Sequence, residues 1–295
     1  MAPLATVIIP HHNDATRLSA CLHALDRCDE RSKVEVIVVD NGTPPLPAVF
    51  PDLHQNTHFL YEATAGAANA RNVGVQSAVT NILIFTDSDC TPAPDFLTQA
   101  IRAAREADIT GGDVRLTQSH ANGVTAFEQV FAFNQRRYIE EMQFSVTANL
   151  VTSKSVFNHV GPFRADLSED LDWGQRATAL GYKITYQPDM IVYHPCRTTW
   201  TGLRAKWNRI TTELYGVHNS DGKPTVLWIL RALAMPLSVV GHVPRVLSSP
   251  KLTTWRARGA ALGVLARLRL WRMFAMIRLT IPQKPAERRR PKGFG

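Results

Sequence analysis

The sequence predicts an α/β protein with a mainly parallel sheet, followed by a basic and apolar helical region. Three observations support this: short β-branched runs alternate with helical segments, polar residues follow the strand-like runs, and the charge balance reverses near residue 195. With 295 residues and 45% hydrophobic content, the chain can bury one large core and carry an appendage. We place the boundary between the two regions at residue 200.

The first half of the chain alternates strands and helices. β-Branched runs indicate buried strands, and apolar residues three or four positions apart indicate the helices between them. The predicted strands cover residues 6–9, 34–39, 58–60 and 82–85, a helix covers 66–78, and a proline-rich loop covers 44–51.

Between residues 109 and 194 the pattern is mixed. We predict strands at 109–116, 147–152, 183–186 and 190–194, a long helix over 121–140 and another helix over 168–180. Gly181 is placed to end this last helix, because glycine is favoured just past a helix C-terminus.

Polar loops follow three of the predicted strands, at Pro10, Asp40 and Asp87. Ligands in open α/β sheets bind beyond the carboxyl ends of the strands, so these residues are expected on one rim. Asp87 and Asp89 offer two carboxylates on alternate residues, which suits a divalent cation held against a diphosphate. The alternative is a solvated turn with an aspartate that caps the next helix.

Five motifs occur in the order seen in inverting family-2 glycosyltransferases, and the chain resembles that family over about residues 4–200. They are Val-Ile-Ile-Pro at 7–10, Val-Ile-Val-Val-Asp-Asn-Gly at 36–42, Gly66 with Arg71-Asn72 and Gly74, Phe-Thr-Asp-Ser-Asp at 85–89, and Glu169-Asp170 followed by Tyr193-His194. The resemblance implies a GT-A fold. It implies a catalytic domain over 1–200, with a nucleotide-binding half to about 115 and an acceptor half from about 116.

The resemblance implies a donor-binding role for four residues. Pro10 opens the first loop, and His12 stands where the family usually has tyrosine; its imidazole could stack on a pyrimidine. The carboxylate of Asp40 would accept hydrogen bonds from the nucleobase or ribose, although an aspartate before Asn-Gly also simply forms turns. Arg71 lies early in a helix, where it suits a diphosphate, although a surface helix arginine is an equal alternative.

A second group of residues resembles the family's metal site. Asp89 would ligate the cation, and Asp87 would contact the ribose, the sugar or, through water, the metal. His194 matches the family's late histidine, which can complete the metal shell, although a histidine at a strand end is often structural. Because nitrogen ligands suit transition metals, we expect Mn2+ rather than Mg2+ if His194 binds.

Asp170 is the predicted catalytic base, by its match to the Glu-Asp motif of the family. An inverting transfer needs one carboxylate to take the proton of the acceptor hydroxyl. Glu169 would support Asp170 beside the substrate. The alternative is that both residues simply favour the positive end of a helix dipole.

The charge distribution points to an anionic partner for the C-terminal region. Residues 1–195 contain 14 basic and 22 acidic residues, whereas residues 196–295 contain 19 basic and 3 acidic ones. The segment 226–241 is too apolar for a nucleic-acid arm, and Arg231 and Pro236 interrupt it, so it falls short of a clean span of about 20 apolar residues.

We therefore expect interfacial helices with snorkelling arginines over 197–295, including a helix at 255–279, and a disordered tail from about 283. The expected partner is an anionic membrane surface on the cytoplasmic side, not nucleic acid. A packed helical appendage or a homo-oligomer contact is the alternative. Four scattered cysteines suit a reducing cytosol, and the N-terminus shows no signal peptide pattern.

These observations predict a metal-dependent inverting glycosyltransferase that takes its sugar from a nucleotide-diphosphate sugar, with UDP favoured by family habit. The acceptor would be a lipid-linked sugar or another envelope glycan. A sugar-phosphate nucleotidyltransferase is an alternative, but such enzymes usually have a Gly-rich first loop where this chain has Pro-His-His-Asn. A non-catalytic membrane adaptor is disfavoured because Asp87, Asp89 and Asp170 are all present.

Overall fold

A computed structural model describes residues 2–42, 53, 55–117, 122–165, 168–220 and 222–281. The predicted loop at 44–51 and the predicted tail from about 283 lie outside the described residues. The chain divides into two units: residues 1–119 with 128–196, and residues 120–127 with 197–295. The grouping of 120–127 with the C-terminal helices was not predicted.

One sheet contains the eight strands found in the described part of the first unit. They are β1 Ala5–His11, β2 Val34–Asp40, β3 Thr57–Tyr61, β4 Ile82–Thr86, β5 Thr91–Pro92, β6 Ile109–Leu116, β7 Asn149–Ser153 and β8 Ile184–His194. Their order is β3-β2-β1-β4-β7-β6-β8-β5. β7 is antiparallel to β4 and β6, and β5 is antiparallel to β8, so the other six strands share one direction.

Helices cover both faces of this sheet. They are α1 Ala15–Asp26, α2 Ala67–Ser77, α3 Phe96–Glu106, α5 Gln135–Met142, α6 Lys154–Val160 and α7 Glu169–Ala179. A further helix, α4 Gly123–Phe131, includes residues of both units. In β1, Val7 and Ile9 join a core with α1 and α3, while Ile8 joins a second core with α2, α6 and α7. The strand is therefore apolar at every position because a parallel sheet is buried on both faces.

Most predicted elements of the sheet unit are confirmed to within two residues. They are the strands at 6–9, 34–39, 58–60, 82–85, 109–116 and 147–152, and the helices at 66–78 and 168–180. Gly181 follows the second of these helices with a φ of +92° and ends it as predicted. Helices α3 and α6 and the short strand β5 were not predicted.

The long helix predicted over 121–140 is wrong, because the chain forms α4 and α5 instead. Asn134 lies between them with an extended φ of −148°, and its side chain accepts a hydrogen bond from the backbone N–H of Arg137 at 3.3 Å. Asparagine satisfies a free N–H at a helix start in this way, so a new helix begins here.

The two strands predicted at 183–186 and 190–194 are one strand, β8. Its pairing with β6 skips residues 188–190, since Gly112 lies opposite Gln187 and Asp113 lies opposite Ile191. The side-chain amide of Asn149 donates to the carbonyl oxygens of Asp113 and Met190, at 2.9 and 2.8 Å. The irregular stretch that resembled a loop in sequence is therefore a bulge within the sheet.

The C-terminal unit is helical in its described residues, with α8 Trp200–Ser220, α9 Thr225–Leu233, α10 Ser238–Leu247 and α11 Trp255–Leu279. The predicted helix over 255–279 is confirmed, and Pro236 lies in the break between α9 and α10. Within the described ranges, no helix by itself has the length and apolarity to cross a membrane. The pair α9 and α10 meets that test jointly, with a 48° bend.

Candidate active site

The carboxyl ends of the parallel strands carry the predicted site residues to one rim of the sheet. His11 and Asp40 end β1 and β2, Asp87 follows β4, and His194 ends β8. β7 runs the other way, so its beginning lies at the same rim, just after Thr147. The rim therefore collects side chains that are far apart in sequence.

The turn after β4 holds two carboxylates close together. Ligand atoms of Asp87, Asp89 and Cys90 all lie within 4.8 Å of one another, and both aspartates are partly exposed. Burial, reinforced by the two carboxylates, raises the pKa of the Cys90 thiol well above its ordinary value, which disfavours the thiolate. The carboxylate oxygens are the donors of this turn, and they suit a hard divalent cation.

His194 faces this turn from the end of β8. Its Nε2 is 3.4 Å from a carboxylate oxygen of Asp89, and its Nδ1 is 2.8 Å from the carbonyl oxygen of Pro195. A carbonyl oxygen only accepts, so Nδ1 carries the proton, and in the neutral imidazole the lone pair lies on Nε2. A nitrogen lone pair facing a carboxylate fits a divalent cation held by Asp89 and His194.

Arg71 connects the turn after β4 to the start of α7. One terminal nitrogen donates to Asp87 at 2.6 Å, the other donates to Glu169, and the side chain is only 4% exposed. Burial acts to lower the pKa of the guanidinium, but Glu169, Asp87 and Asp170 raise it above its ordinary value. The structure thus gives Arg71 carboxylate partners in place of the predicted diphosphate.

Asp170 lies next to this ion-pair network without a direct bond to Arg71. Its Oδ1 accepts the backbone N–H of Thr147 at 3.1 Å. Loss of solvent contact raises the pKa of Asp170 to about 6; Arg71 opposes this effect, while Glu169 adds to it. A carboxylate with such a pKa is mostly ionised at neutral pH and still binds a proton readily, as a general base requires.

His11, which was not among the predicted site residues, contacts Asp40. The Nδ1 of His11 lies 2.8 Å from Asp40 Oδ1, and its Nε2 accepts the backbone N–H of Asp14 at 3.0 Å. Nδ1 is therefore the donor, and both side chains are buried. The signal was available in the parallel pairing of the two strand ends, which places His11 opposite Asp40.

The other predicted residues of the first loop lie apart from that pair. His12 is exposed and contacts the carbonyl oxygen of Asn41 at 2.9 Å, and Pro10 is buried within β1. Asn41 was also not among the predicted site residues. Its side chain donates to the carbonyl oxygens of Glu62 and Thr64 and accepts the N–H of Gly66, so it holds the loop before α2 in place.

Comparison with known proteins identifies the family of this chain. The family model for glycosyl transferase family 2 matches residues 6–165, more than half of the chain. The chain belongs to this family. The resemblance drawn from the five motifs is thereby confirmed, and the protein is a glycosyltransferase with a nucleotide sugar as the supported class of donor.

Proteins with similar sequences include two that are named as glycosyltransferases. The glycosyltransferase AglE of Haloferax volcanii is 34% identical over 208 residues, which is 66% of this chain and 68% of AglE. The pre-mycofactocin glycosyltransferase of Mycobacterium tuberculosis is 26% identical over 264 residues, 79% of this chain but only 53% of that protein.

The family-2 glycosyltransferase also resembles a solved structure. The mannosyltransferase PcManGT from Pyrobaculum calidifontis, in complex with GDP-Man and Mn2+, matches with a TM-score of 0.58 at 21% identity. The match covers 94% of this chain and 86% of that one. It confirms the GT-A fold.

Proposed function

We propose that the protein is a metal-dependent inverting glycosyltransferase, with Asp170 as its base and with Asp89 and His194 holding the cation. The main support for this proposal is that the adjacent carboxylates of Glu169 and Asp170 lie in different environments. Glu169 is paired with Arg71, whereas Asp170 has a raised pKa and, among the described residues, accepts a hydrogen bond only from a backbone amide. Two carboxylates in different environments at one rim suit different tasks in one reaction.

In the proposed reaction, the acceptor hydroxyl attacks the anomeric carbon from the face opposite the nucleotide. Asp170 takes the hydroxyl proton as the new C–O bond forms, and the bond to the nucleoside diphosphate breaks with inversion. Thr147 orients the carboxylate through its backbone N–H. A bound cation would neutralise charge on the departing diphosphate.

Asp40 is the proposed contact for the donor nucleotide. Because His11 donates to Oδ1, the carboxylate is fixed in orientation at the end of β2. We propose a nucleotide-diphosphate sugar as the donor, with UDP as the first nucleotide to test, and a lipid-linked or envelope glycan as the acceptor. The GDP-Man and Mn2+ in the PcManGT structure make GDP and Mn2+ the natural comparisons.

The test is a screen of nucleotide sugars by thermal unfolding, with and without Mn2+. A donor present at about 100 times its Kd adds about 2.7 kcal/mol to the free energy of unfolding, which a melting experiment detects. NMR of the reaction product would then assign the anomeric configuration of the transferred sugar, for comparison with that of the donor. A product that retains the donor's configuration would exclude the inverting role of Asp170.

A further inference from the structure

The C-terminal unit contains arginines without acidic partners. Residues 197–295 include three acidic residues, of which only Glu213 lies in the described ranges, 3.7 Å from Arg209. Among the described residues, no carboxylate lies within ion-pair distance of Arg231, Arg269 or Arg272. These three arginines are called the arginine cluster below.

Arg272 is the buried member of the arginine cluster, at 6% exposure. Its guanidinium carbon lies 4.4 Å from the ring centre of Trp207, and its Nε donates to the hydroxyl of Thr211 at 3.3 Å. Its terminal nitrogens have no hydrogen-bond partner within the described ranges. Burial, together with the charges of Arg269 and Arg231, lowers the pKa of Arg272 to about 10.

Arg269 lies three residues earlier on the same side of α11. One terminal nitrogen contacts the sulfur of Met235 at 3.5 Å, in the break between α9 and α10. Its Nε is buried and has no hydrogen-bond partner in the described part of the chain. A buried cation without a counter-charge is costly, so an anion supplied from outside the chain would stabilise this group of donors.

Apolar side chains surround the same break. Leu230 and Leu233 on α9 are 57% and 52% exposed, Leu237 in the break is 75% exposed, and Val240 on α10 is 73% exposed. Four large apolar groups on one bent helix pair form a surface typical of contact with lipid or protein. The excess of arginine over acidic residues favours an anionic lipid surface.

We propose that Arg231, Arg269 and Arg272 bind the phosphate of an anionic phospholipid headgroup, while the apolar side chains at the break between α9 and α10 enter the acyl layer. Guanidinium groups suit this ligand because they donate paired hydrogen bonds to phosphate oxygens. The site lies within the helical unit and does not depend on the sugar-transfer reaction.

Flotation of the full-length protein with vesicles tests the site. Arg269→Gln should weaken binding to phosphatidylcholine vesicles that contain phosphatidylglycerol by about tenfold or more, as expected for a lost hydrogen bond to a charged group. It should weaken binding to pure phosphatidylcholine vesicles less, because the phosphate of that lipid lies beside its own choline cation. Leu237→Ser should weaken binding to both kinds of vesicle.

Arg209→Gln is the matched control, because it removes the same charge from an exposed position of α8. It should weaken binding to the anionic vesicles by about fivefold or less, which is the contribution of one basic residue near an anionic surface. Equal losses for the two variants would overturn the site in favour of diffuse electrostatic attraction. Arg231→Gln, at an exposed position, serves as a second variant if Arg269→Gln lowers the melting temperature.

Melting experiments in inorganic phosphate test whether the ligand of the arginine cluster is a phospholipid or a soluble phosphate. The melting temperature of the wild type and of Arg269→Gln is compared in phosphate and in chloride at equal ionic strength. If phosphate stabilises only the wild type and vesicle binding is the same for both proteins, the ligand is a soluble phosphate and the lipid assignment is overturned.

Discussion

At the residue scale, Arg71 separates the roles of two neighbouring carboxylates. It holds Glu169 and Asp87 together through its two terminal nitrogens, and this leaves Asp170 as the carboxylate free of a direct ion pair in the Glu-Asp motif. Because the Arg71 side chain is buried, its charge is screened less by solvent and affects the pKa of neighbouring groups more than a surface arginine would. The environment of the proposed base is thus set by its neighbours as much as by its own position.

Asp170→Asn should lower the rate of sugar transfer by about 10²–10⁴-fold, because the amide cannot accept the acceptor's proton. Donor binding, measured by thermal shift, should persist, since the change preserves shape. Asp172→Asn is the control: it removes the same charge from α7, but Asp172 pairs with Arg176. Transfer by Asp170→Asn within tenfold of the wild type would disprove the role of base.

The pH dependence of the reaction follows from the raised pKa of Asp170. The active form is the carboxylate, so protonation below pH 6 removes the base. We expect kcat/KM to be level above about pH 7 and to fall about tenfold per pH unit well below pH 6. Circular dichroism at each pH shows whether the fold persists; a folded enzyme with a level profile down to pH 5 would contradict the assignment.

Asp89→Ala should abolish transfer and also the additional stabilisation that Mn2+ gives in the presence of a nucleotide diphosphate. The reason is the loss of the carboxylate that faces His194. Melting without ligand should change little, because the Asp89 side chain is 28% exposed. Unchanged Mn2+-dependent stabilisation would remove Asp89 from the metal site.

At the element scale, the packing of α2 on β1 positions Arg71. A Cβ on Gly74 would lie against the side chain of Ile8, so this glycine permits the close approach of helix and strand. Arg71 is one turn earlier on the same helix and reaches Asp87 at the end of β4. The glycine of the family motif is therefore required for the geometry of the site.

Gly74→Ala should lower the free energy of unfolding by about 1–3 kcal/mol, as expected for overpacking. Gly263→Ala in α11 is the matched control, because its Cβ meets nothing within 4 Å. That change should be neutral or stabilise by up to about 1 kcal/mol through helix propensity. Urea unfolding measures both; equal effects would show that Ile8 yields to the added methyl group.

At the scale of the whole molecule, the two units carry opposite charge. Residues 1–195 have a balance of −8 and residues 196–295 one of +16. An acidic catalytic unit repels anionic surfaces, whereas a basic helical unit is attracted to them. The distribution therefore favours attachment through the C-terminal helices rather than through the sheet unit.

Binding of the full-length protein to anionic vesicles should weaken as salt rises from about 0.01 to 0.15 M, where the Debye length falls from about 30 to 8 Å. Some binding should remain at high salt, because burial of the exposed leucines does not depend on ionic strength. Co-sedimentation across a salt series measures this, with phosphatidylcholine vesicles as the control. Binding that does not respond to salt would contradict the electrostatic contribution.

Six of the eight strands, their polar ends and the family were predictable from the amino-acid sequence. The spacing of apolar residues, the runs of β-branched residues and the order of the motifs can all be read from the sequence. They therefore predicted β1, β2, β4 and the Asp87-Ser88-Asp89 turn directly. The boundaries of α4 and α5 and the bulge in β8 did not, because a single cap and a pairing shift interrupt otherwise continuous patterns.

The contacts between charged groups were not predictable from the sequence. Arg71 and Glu169 are 98 positions apart, and His11 and Asp40 are 29 apart. No local pattern encodes such partners, because they are set by the register of the sheet and the packing of helices on it. The pKa of Asp170 and the arginine cluster depend on the same packing, since desolvation and the distance between charges exist only in the folded chain.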